Sequence, residues 1–425
     1  MFGVCSDKRP KKSEVEIEKD KLNTLKPKLE KSSDSHEKEN LQSKIRETEN
    51  HIRELENKDK PNNSNKSEQP KTEYGKLFLV GAVILSATIL ISEFATTASS
   101  KFLNYFQPSQ DAFVIELLEK KQRILSGKTI LDEFACGGTG LHASTGPIFN
   151  PHNSACIVGG SSSGSAWVVT ENLVPWALGH DTGDSIRRPA SYCGIVGFKP
   201  SYGLISRSGV IPMASSLDTV GILAQKTQDI KSVFAIISQK DPHDLLTTAT
   251  KNKILSHQKN KVAVVAGIEK YLPSELSDLY HVSIKKLEKL GYTIEKITIP
   301  KKIREHLQIT YLILCSSELV SHLNSLQGIT YGIKENINVN HKRSKHLGEI
   351  VKQRLLIGAY FLENQDTNNT APPAANFNHS FSGLPIGFIN DLPVSININS
   401  NYGKDKRVLK IAEELEKEIN FSPNE

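Results

Sequence analysis

Three observations predict that this sequence folds as an α/β domain. Hydrophobic residues make up 38% of the 425 positions, which is enough to form a packed core. From residue 111 to residue 237, short helical patterns alternate with apolar strand-like runs and Gly/Ser-rich loops. A strand–helix–strand pattern follows, with strands at Lys261–Ala266 and Tyr292–Ile299 on either side of a helix at Ser274–Leu290.

The remaining carboxy-terminal segments complete the predicted domain. Residues 301–364 have a mostly helical pattern. The stretch Asn364–Asn378 is polar and rich in Pro and Asn, which predicts a loop. An amphipathic helix is expected at Lys406–Glu418, because its apolar residues recur on one helical face.

Residues 1–74 form a charged extension, predicted to be largely disordered or partly helical. Lys, Glu, Asn and Ser dominate it, and such a composition buries too little apolar area to offset the entropy of folding. Within it, Leu41–Leu55 places apolar residues roughly on one helical face, over fewer than three heptads. A short amphipathic or partner-dependent helix is therefore expected there, followed by a linker at Pro61–Asn65.

The segment Leu77–Ile91 is the most apolar run of the chain, and two interpretations of it are open. With the residues to Phe94 it approaches the length that crosses a bilayer, and Lys76 and Glu93 would bound the helix. Its Val, Ile and Thr content and the interruption at Gly81 fit a buried strand followed by a turn equally well.

The net charge and the cysteine spacing bear on three questions: nucleic-acid contact, metal binding and the redox compartment. The net charge of +6 comes from 53 Lys and Arg against 47 Asp and Glu, a mild excess that permits contact with nucleic acid without indicating it. No cysteine pair has CxxC spacing and no zinc-like pattern includes His152 or His180, so no metal site is predicted. A reduced cytosolic protein is expected from the five scattered cysteines, which are Cys5, Cys136, Cys156, Cys193 and Cys315.

A Gly/Ser-rich segment at Gly159–Ala166, GGSSSGSA, precedes an apolar helix-like run that starts at Trp167. Alone, it is consistent with a flexible linker or with an anion site made of backbone N–H groups at a helix start.

A second segment, Gly179–Ala190, reads GHDTGDSIRRPA and contains Ser185 directly after a Gly-containing loop. Such a serine can present its hydroxyl while neighbouring N–H groups point at a developing oxyanion. A solvated turn serine is the commoner situation for any single serine, so this segment alone does not establish a nucleophile.

Together, the two segments resemble the amidase-signature family. GGSSSGSA, DTGDSIR, CGIVGFKPSYG (Cys193–Gly203) and ASSLDTVG (Ala214–Gly221) occur in the order that the family shows. DEFACGG (Asp132–Gly138), Ser316–Glu318 and Gln353–Tyr360 extend the similarity from about Gly75 to near the C-terminus. DEFACGG and the blocks after DTGDSIR look most like the glutamine-hydrolysing subunits of tRNA-dependent amidotransferases.

The resemblance implies a fold, a mechanism and a set of site residues. The fold is a mixed, twisted sheet flanked by helices. By position, Ser185 matches the nucleophile and Ser161 the serine of a cis peptide, which relays the proton to a neutral buried lysine. Backbone N–H groups of Thr182, Gly183 and Asp184 would hold the oxyanion, and Arg354 would bind the α-carboxylate of the substrate.

The sequence departs from the family pattern at the catalytic lysine. Counting back from Thr96-Thr97-Ala98-Ser99, the family's Lys-Asp-Asn-Ile falls on Ser86-Ala87-Thr88-Ile89, so Ser86 stands where the lysine is expected. A serine cannot act as the terminal base, and loss of a general base typically costs roughly 100- to 10,000-fold in rate. The same alignment places the apolar run in the slot of a core strand, which favours a buried strand over a membrane span.

Two further departures affect the substrate pocket. The family region between Gln365 and Pro373 is longer and includes an aspartate that binds the substrate's α-amino group, whereas this domain is shortened near 365–390. Asp184 replaces a more usual glycine and is expected to place a negative charge beside the nucleophile.

The function implied is the release of ammonia from glutamine within a complex that converts Glu-tRNA(Gln) to Gln-tRNA(Gln). Subunits B and C of that complex are the expected partners. ATP and Mg are expected at the partner subunit, with no cofactor in this chain, and the absence of a Walker-type phosphate loop agrees. A catalytically impaired scaffold, a stand-alone amidase, and a form anchored to a membrane through residues 77–94 remain alternatives to a cytoplasmic glutaminase subunit.

Overall fold

A computed structural model describes residues 96–247, 260–326, 338–364 and 380–421, with the strand Ala82–Ser86 and the single residues Lys44, Thr48 and Glu335. The chain divides into two units, Gly75–Glu425 with Met1–Cys5, and Ser6–Tyr74. In the second unit Lys44 and Thr48 are helical, and the Thr48 hydroxyl donates to the Lys44 carbonyl at 2.8 Å. The helix predicted at 41–55 otherwise lies outside the described residues, as do the linker at 61–65 and nearly all of the loop at 364–378.

A seven-stranded mixed sheet forms the centre of the larger unit. The strands are β1 Ala82–Ser86, β2 Ile124–Thr129, β3 Trp176–Asp181, β4 Val196–Lys199, β5 Thr219–Ala224, β8 Ser380–Ile389 and β9 Leu392–Ser400. Their order is β2-β1-β3-β5-β4-β8-β9, with parallel pairing from β2 through β3 and antiparallel pairing from β3 through β9. The mixed sheet predicted from the family resemblance is therefore confirmed.

The strand–helix–strand unit predicted after residue 260 is confirmed. Strands β6 (Lys261–Val265) and β7 (Thr293–Ile297) pair in parallel as a separate two-stranded sheet, joined by a helix. The nine α-helices within the described ranges flank the sheets. They are α1 Phe113–Glu119, α2 Ser163–Thr170, α3 Arg187–Tyr192, α4 Thr227–Ile237, α5 Ser274–Lys289, α6 Lys301–Ser325, α7 Val339–His346, α8 Glu349–Glu363 and α9 Asp405–Ile419.

Part of the apolar run lies inside the central sheet. Residues 82–86 pair with β2 in a register that joins Ser86 to Thr129, and Ile84 pairs with Ala177 of β3. A core strand, as the alignment predicted, is thus confirmed for these five residues. The remainder of Leu77–Phe94 lies outside the described residues. Within the ranges that the structure describes, no helix combines the length and apolarity required to cross a bilayer.

Hydrophobic side chains pack on both faces of the sheet. Successive side chains of a strand point to opposite faces, and β3 follows this rule. Leu178 joins a cluster with helices α4 and α9, whereas Ala177 joins a cluster with α2 and α3. The amphipathic α9 buries five residues in the first cluster, which confirms the apolar face predicted near 406–418: Val408, Leu409, Ile411, Ala412 and Leu415.

The Gly/Ser-rich segment differs from the prediction, because the helix begins at Ser163 rather than at Trp167. A Cβ on Gly164 would lie 2.6 Å from the carbonyl oxygen of Ile130. The small residues therefore allow the first turn of α2 to pack closely against the chain that follows β2.

The cysteines are not all reduced. Cys136, Cys193 and Cys315 are buried free thiols. Cys156 is disulfide-bonded, so the expectation of five reduced cysteines is wrong at this position.

Candidate active site

Ser185 lies in the turn that joins β3 to α3, and it is only 5% exposed. The turn is closed by the carboxylate of Asp181. Its Oδ2 accepts the N–H of Ile186 at 3.0 Å, and the Arg187 guanidinium donates to both carboxylate oxygens at 3.2 and 3.3 Å. Arg187 also donates to the carbonyl oxygen of Gly183. These bonds fix the backbone on both sides of the candidate nucleophile.

Asp181 keeps its negative charge although it is fully buried. Burial raises the pKa of this carboxyl, but the Arg187 guanidinium, Lys199 and the N–H of Ile186 outweigh burial and leave the pKa below its ordinary value. A carboxylate held in this way is a permanent acceptor for the nucleophile turn.

Asp184 is paired rather than isolated. The Arg188 guanidinium donates to Asp184 Oδ2 at 2.9 and 2.6 Å, and Arg188 also donates to the carbonyl oxygen of Gly138 at 3.2 Å. Burial raises the pKa of Asp184, and the Arg188 charge acts against that rise. The negative charge predicted beside Ser185 is therefore offset by its neighbour on α3.

Ser161 lies in the adjoining loop, and the Gly160–Ser161 peptide bond is cis, as the resemblance implied. The Ser161 side chain is fully buried, and its hydroxyl has no hydrogen-bond partner among the described residues. The N–H of Ser162 donates to the carbonyl oxygen of Ser185 at 3.1 Å. Ser162 Oγ also bonds the backbone of His180 in β3. The structure thus brings the two predicted catalytic loops together.

Asp132 organises the loop from the other side, a role that sequence reasoning missed. Its fully buried carboxylate accepts the N–H groups of Thr139, Gly140 and His142 at 2.9 to 3.2 Å. Its own N–H donates to the carbonyl oxygen of Ser161 at 3.2 Å. The DEFACGG motif indicated the family. It did not reveal the role of Asp132, because the N–H groups that this carboxylate accepts belong to residues up to ten positions further along the loop and form no recognisable sequence motif.

Ser86 occupies the end of β1, and only its backbone is described. Its strand partner is Thr129, whose Oγ1 lies 2.8 Å from Ser165 Oγ in α2.

Lys128, which precedes Thr129 in β2, donates a hydrogen bond to Thr96 Oγ1. Burial lowers the pKa of Lys128 to about 8. Because alternate strand residues point to opposite faces, Lys128 lies on the face away from α2 and does not replace the expected lysine.

A cavity of about 660 Å³ opens beside the nucleophile turn. Gly183 and Asp184, which precede Ser185 in the turn, line it. Arg354 of α8 also lines the cavity, and its buried Nη1 has no hydrogen-bond partner among the described residues. Arg304, Gln308 and Tyr311 of α6 form another wall. A guanidinium group that lines a cavity is suited to a carboxylate ligand.

Tyr311 is a second residue that the sequence did not indicate. A Cβ on Gly183 would lie 2.9 Å from its hydroxyl oxygen, so the side chain packs directly on the turn and requires glycine there. Burial raises the pKa of Tyr311 well above its ordinary value, and the phenol stays protonated. Aromatic residues inside helical patterns are mostly core residues, and for this reason Tyr311 was not distinguished.

No group of three or more His, Cys, Asp or Glu side chains in the described part of the chain is arranged to hold a metal ion.

Comparison with known proteins identifies the family of this chain. A model of the amidase family matches residues 43–376. The A subunit of glutamyl-tRNA(Gln) amidotransferase from Macrococcus caseolyticus is 38% identical over 312 residues, which are 70% of this chain and 64% of that protein. The corresponding protein of Pseudothermotoga lettingae is 32% identical over 405 residues, covering 80% of this chain and 86% of the relative. The chain thus spans less than two thirds of the length of the first of these relatives.

Solved structures support the same assignment. The crystal structure of the glutamyl-tRNA(Gln) amidotransferase A subunit from Thermotoga maritima has a TM-score of 0.65 at 28% identity and covers 79% of this chain and 83% of its own. The peptide amidase of Stenotrophomonas maltophilia, at 22% identity and a TM-score of 0.63 over 80% and 82% of the two chains, shares the fold. The predicted amidase-signature fold is confirmed. The chain belongs to the amidase family, and its matches include the A subunits of glutamyl-tRNA(Gln) amidotransferases.

Proposed function

We propose that this chain is the glutaminase subunit of a tRNA-dependent amidotransferase that converts Glu-tRNA(Gln) to Gln-tRNA(Gln). The observation that carries the proposal is the position of Arg354, which lines the same cavity as Gly183 and Asp184 and whose buried Nη1 has no hydrogen-bond partner among the described residues. A guanidinium at that place fits the α-carboxylate of glutamine, and the side-chain amide then extends toward Ser185.

The chemistry proposed is acyl transfer through a serine ester. Ser185 Oγ attacks the amide carbon of glutamine while its proton passes to Ser161 Oγ, and Ser161 gives up its own proton to the terminal base of the relay. The N–H groups of Thr182, Gly183 and Asp184 stabilise the negative oxygen of the tetrahedral intermediate. The relayed proton then returns to the leaving nitrogen, so that collapse of the intermediate breaks the C–N bond and releases ammonia. Water then hydrolyses the ester to glutamate.

The terminal base of this relay is the missing component, and its absence gives rise to a second candidate function. Ser86 stands at the lysine position, and the buried Ser161 hydroxyl has no acceptor among the described residues. A scaffold subunit that keeps the fold and its partners but hydrolyses glutamine slowly is consistent with both facts. A stand-alone amidase would require the same missing base and is less favoured.

Partners follow from the proposed function. Subunits B and C of the amidotransferase would complete a heterotrimer, and ATP, Mg and most contacts with Glu-tRNA(Gln) would belong to the partner subunit.

We place the complex in the cytoplasm, because three buried cysteines are free thiols and disulfides are rare there. The disulfide at Cys156 argues in the other direction. Cell fractionation tests this location, and we expect to recover the chain in the cytoplasmic fraction.

The first experiment measures ammonia release from glutamine by the purified chain, alone and with cognate subunits B and C. Ser185→Ala is the test variant. Ser232→Ala, an exposed position on α4 whose hydroxyl bonds only within its helix, is the matched control. Ammonia release that disappears in Ser185→Ala and persists in the control supports the glutaminase. Co-purification with these two partners without ammonia release identifies the scaffold.

A further inference from the structure

Asp218 is a buried carboxylate that the proposed chemistry does not use, and it bonds to the turn that carries Ser185. It is 3% exposed, and its Oδ1 accepts the hydroxyl hydrogen bond of Thr182 at 2.8 Å. His180 Nε2 lies 3.2 Å from the same oxygen. That contact does not have hydrogen-bond geometry. Asp218 Oδ2 accepts the N–H groups of Met213 and Ala214 at 2.9 and 3.0 Å.

The segment from Met213 to Asp218 is bonded in turn to helix α6. Glu318 of α6 accepts hydrogen bonds from the N–H and the hydroxyl of Ser216, the first at 3.0 Å. Ser215 Oγ lies 3.1 Å from His322 Nε2, one turn further along α6. The helix that forms one wall of the cavity is therefore fastened to the segment that ends at Asp218.

The same helix also contacts the nucleophile turn directly. Tyr311 of α6 packs on Gly183, where a Cβ would approach its ring to 2.8 Å. Thr182 and Gly183 are thus held by two routes, through Asp218 and through Tyr311, and both routes lead to α6. Because the N–H groups of these two residues are the proposed oxyanion donors, their positions depend on α6.

We propose that Asp218 is a positioning residue, which fixes the N–H groups of the nucleophile turn relative to the cavity wall on α6. This inference rests on the proposed use of Ser185 as a nucleophile. Its physical basis is that oxyanion donors act only within a few tenths of an ångström of the required place. A displacement of about 1 Å can cost roughly 100-fold in rate.

Two measurements test the inference on the full chain. The first is the rate at which an alkyl fluorophosphonate modifies Ser185, followed by intact mass. Ser185 Oγ forms the P–O bond, fluoride leaves, the serine proton is released to the buffer, and the phosphoryl oxygen takes the oxyanion position. The second is amide hydrogen exchange at residues 182–186, which does not require a reactive serine.

Thr182→Val removes the hydroxyl at constant shape, and Asp218→Asn removes the charge. We expect each to slow adduct formation about 10- to 100-fold and to speed exchange at residues 182–186 by about 10-fold or more, which corresponds to about 1.4 kcal/mol. Adduct formation in the double variant should be no more than about two-fold slower than in the slower single variant. The reason is that both substitutions remove the same hydrogen bond, between Thr182 and Asp218. Thr182→Ser, which keeps the hydroxyl, should lose less than Thr182→Val.

Thr170→Val is the matched control, because Thr170 is also buried and bonds the carbonyl oxygens of Ala166 and Cys193 in the described structure. It should change neither measurement. Fast exchange and slow modification confined to the Thr182 and Asp218 variants support the inference. Two results would overturn it: hydrogen exchange at residues 182–186 that stays at the parental rate in those variants, or a loss of adduct-formation rate in the double variant that equals the product of the two single losses. A parent chain that forms no adduct overturns the proposed function instead, and hydrogen exchange still decides the role of Asp218.

Discussion

The N–H of Ser162 donates to the carbonyl oxygen of Ser185 at 3.1 Å, so the two candidate catalytic loops are joined through their backbones. This bond does not involve the side chain of either candidate catalytic serine, nor residue 86. Substitutions of those side chains are therefore expected to leave the geometry of the two loops largely intact, which makes functional tests interpretable.

Restoring the expected lysine should increase glutamine hydrolysis. Ser86→Lys places an amine at the end of β1, and a positioned general base typically contributes roughly 100- to 10,000-fold. We expect ammonia release by the variant to exceed that of the parent by at least about 100-fold. Ser86→Met, of similar length without a base, is the control. A folded Ser86→Lys protein no faster than Ser86→Met would show that the loss of the lysine is not what limits this chain.

Removing the guanidinium from the cavity should weaken glutamine binding more than it slows turnover. A hydrogen bond to a charged group is worth about 1.5–3 kcal/mol, so Arg354→Met should raise the Kd for glutamine roughly 10- to 150-fold. Calorimetry on Ser185→Ala protein, with and without Arg354→Met, measures this directly. Arg343→Met is the control, since Arg343 bonds carbonyl oxygens near the end of α6, outside the cavity lining. Equal affinities for glutamine in the two proteins would show that Arg354 does not bind the substrate.

Asp181→Ala should lower the free energy of unfolding at neutral pH. In acid, where Asp181 of the parent is protonated, the parent and the variant should differ less in stability. Breaking a buried pair by removing one partner costs about 3–5 kcal/mol, because Arg187 would keep an unpaired charge. The pKa of folded Asp181 lies below its ordinary value, so its stabilising contribution is present above about pH 4 and fades as pH falls through the folded pKa.

Urea unfolding of parent and Asp181→Ala protein at several pH values from about 7 down to about 2.5 measures this difference. Asp181→Asn keeps the acceptor for Ile186 and should cost less. A difference in the free energy of unfolding that stays constant across this range would contradict a charged Asp181 in the folded protein.

Lys199 gives a pH dependence of the same sign at alkaline pH. It is 3% exposed, and burial lowers its pKa from 10.5 to about 8. Between these two values the unfolded chain holds a proton that the folded chain has released, so this group makes the free energy of unfolding rise with pH. Lys199→Met should remove that rise. The measurement is the parent-minus-variant difference in unfolding free energy at about pH 7.5 and about pH 10. A difference that does not change between these pH values would show that Lys199 is not desolvated as the structure indicates.

The elements that the sequence predicted correctly have a strong periodic signal. The strand–helix–strand unit from Lys261 and the final amphipathic helix were placed within one to two residues, because apolar spacing directly reports which face is buried. The start of α2 was misplaced by four residues. Gly and Ser usually mark loops, and here they serve close packing against Ile130, which a sequence does not reveal.

The candidate site was predictable only where motifs are contiguous. Ser161, Ser185 and the turn between β3 and α3 were found because they lie in ordered blocks of one chain segment. Asp132, Asp218 and Tyr311 were not assigned roles, because the contacts that connect them with the site join residues distant in the chain: Asp132 with Thr139, Asp218 with Thr182, and Tyr311 with Gly183. Pairing over such distances depends on the sheet order, which composition and spacing do not determine.

Helix α9 also has a consequence for the synthesis of this protein. Asp405, at the first position of α9, is fully buried and accepts the N–H and the hydroxyl of Ser201 at 2.7 and 2.8 Å. These partners are 204 residues apart in the chain. While the ribosome is still adding the intervening residues, Ser201 lacks this acceptor and the sheet face beneath α9 stays uncovered. The segment that follows the nucleophile turn therefore reaches its final packing only after Asp405 has emerged, and a chain truncated before Asp405 would aggregate or be degraded.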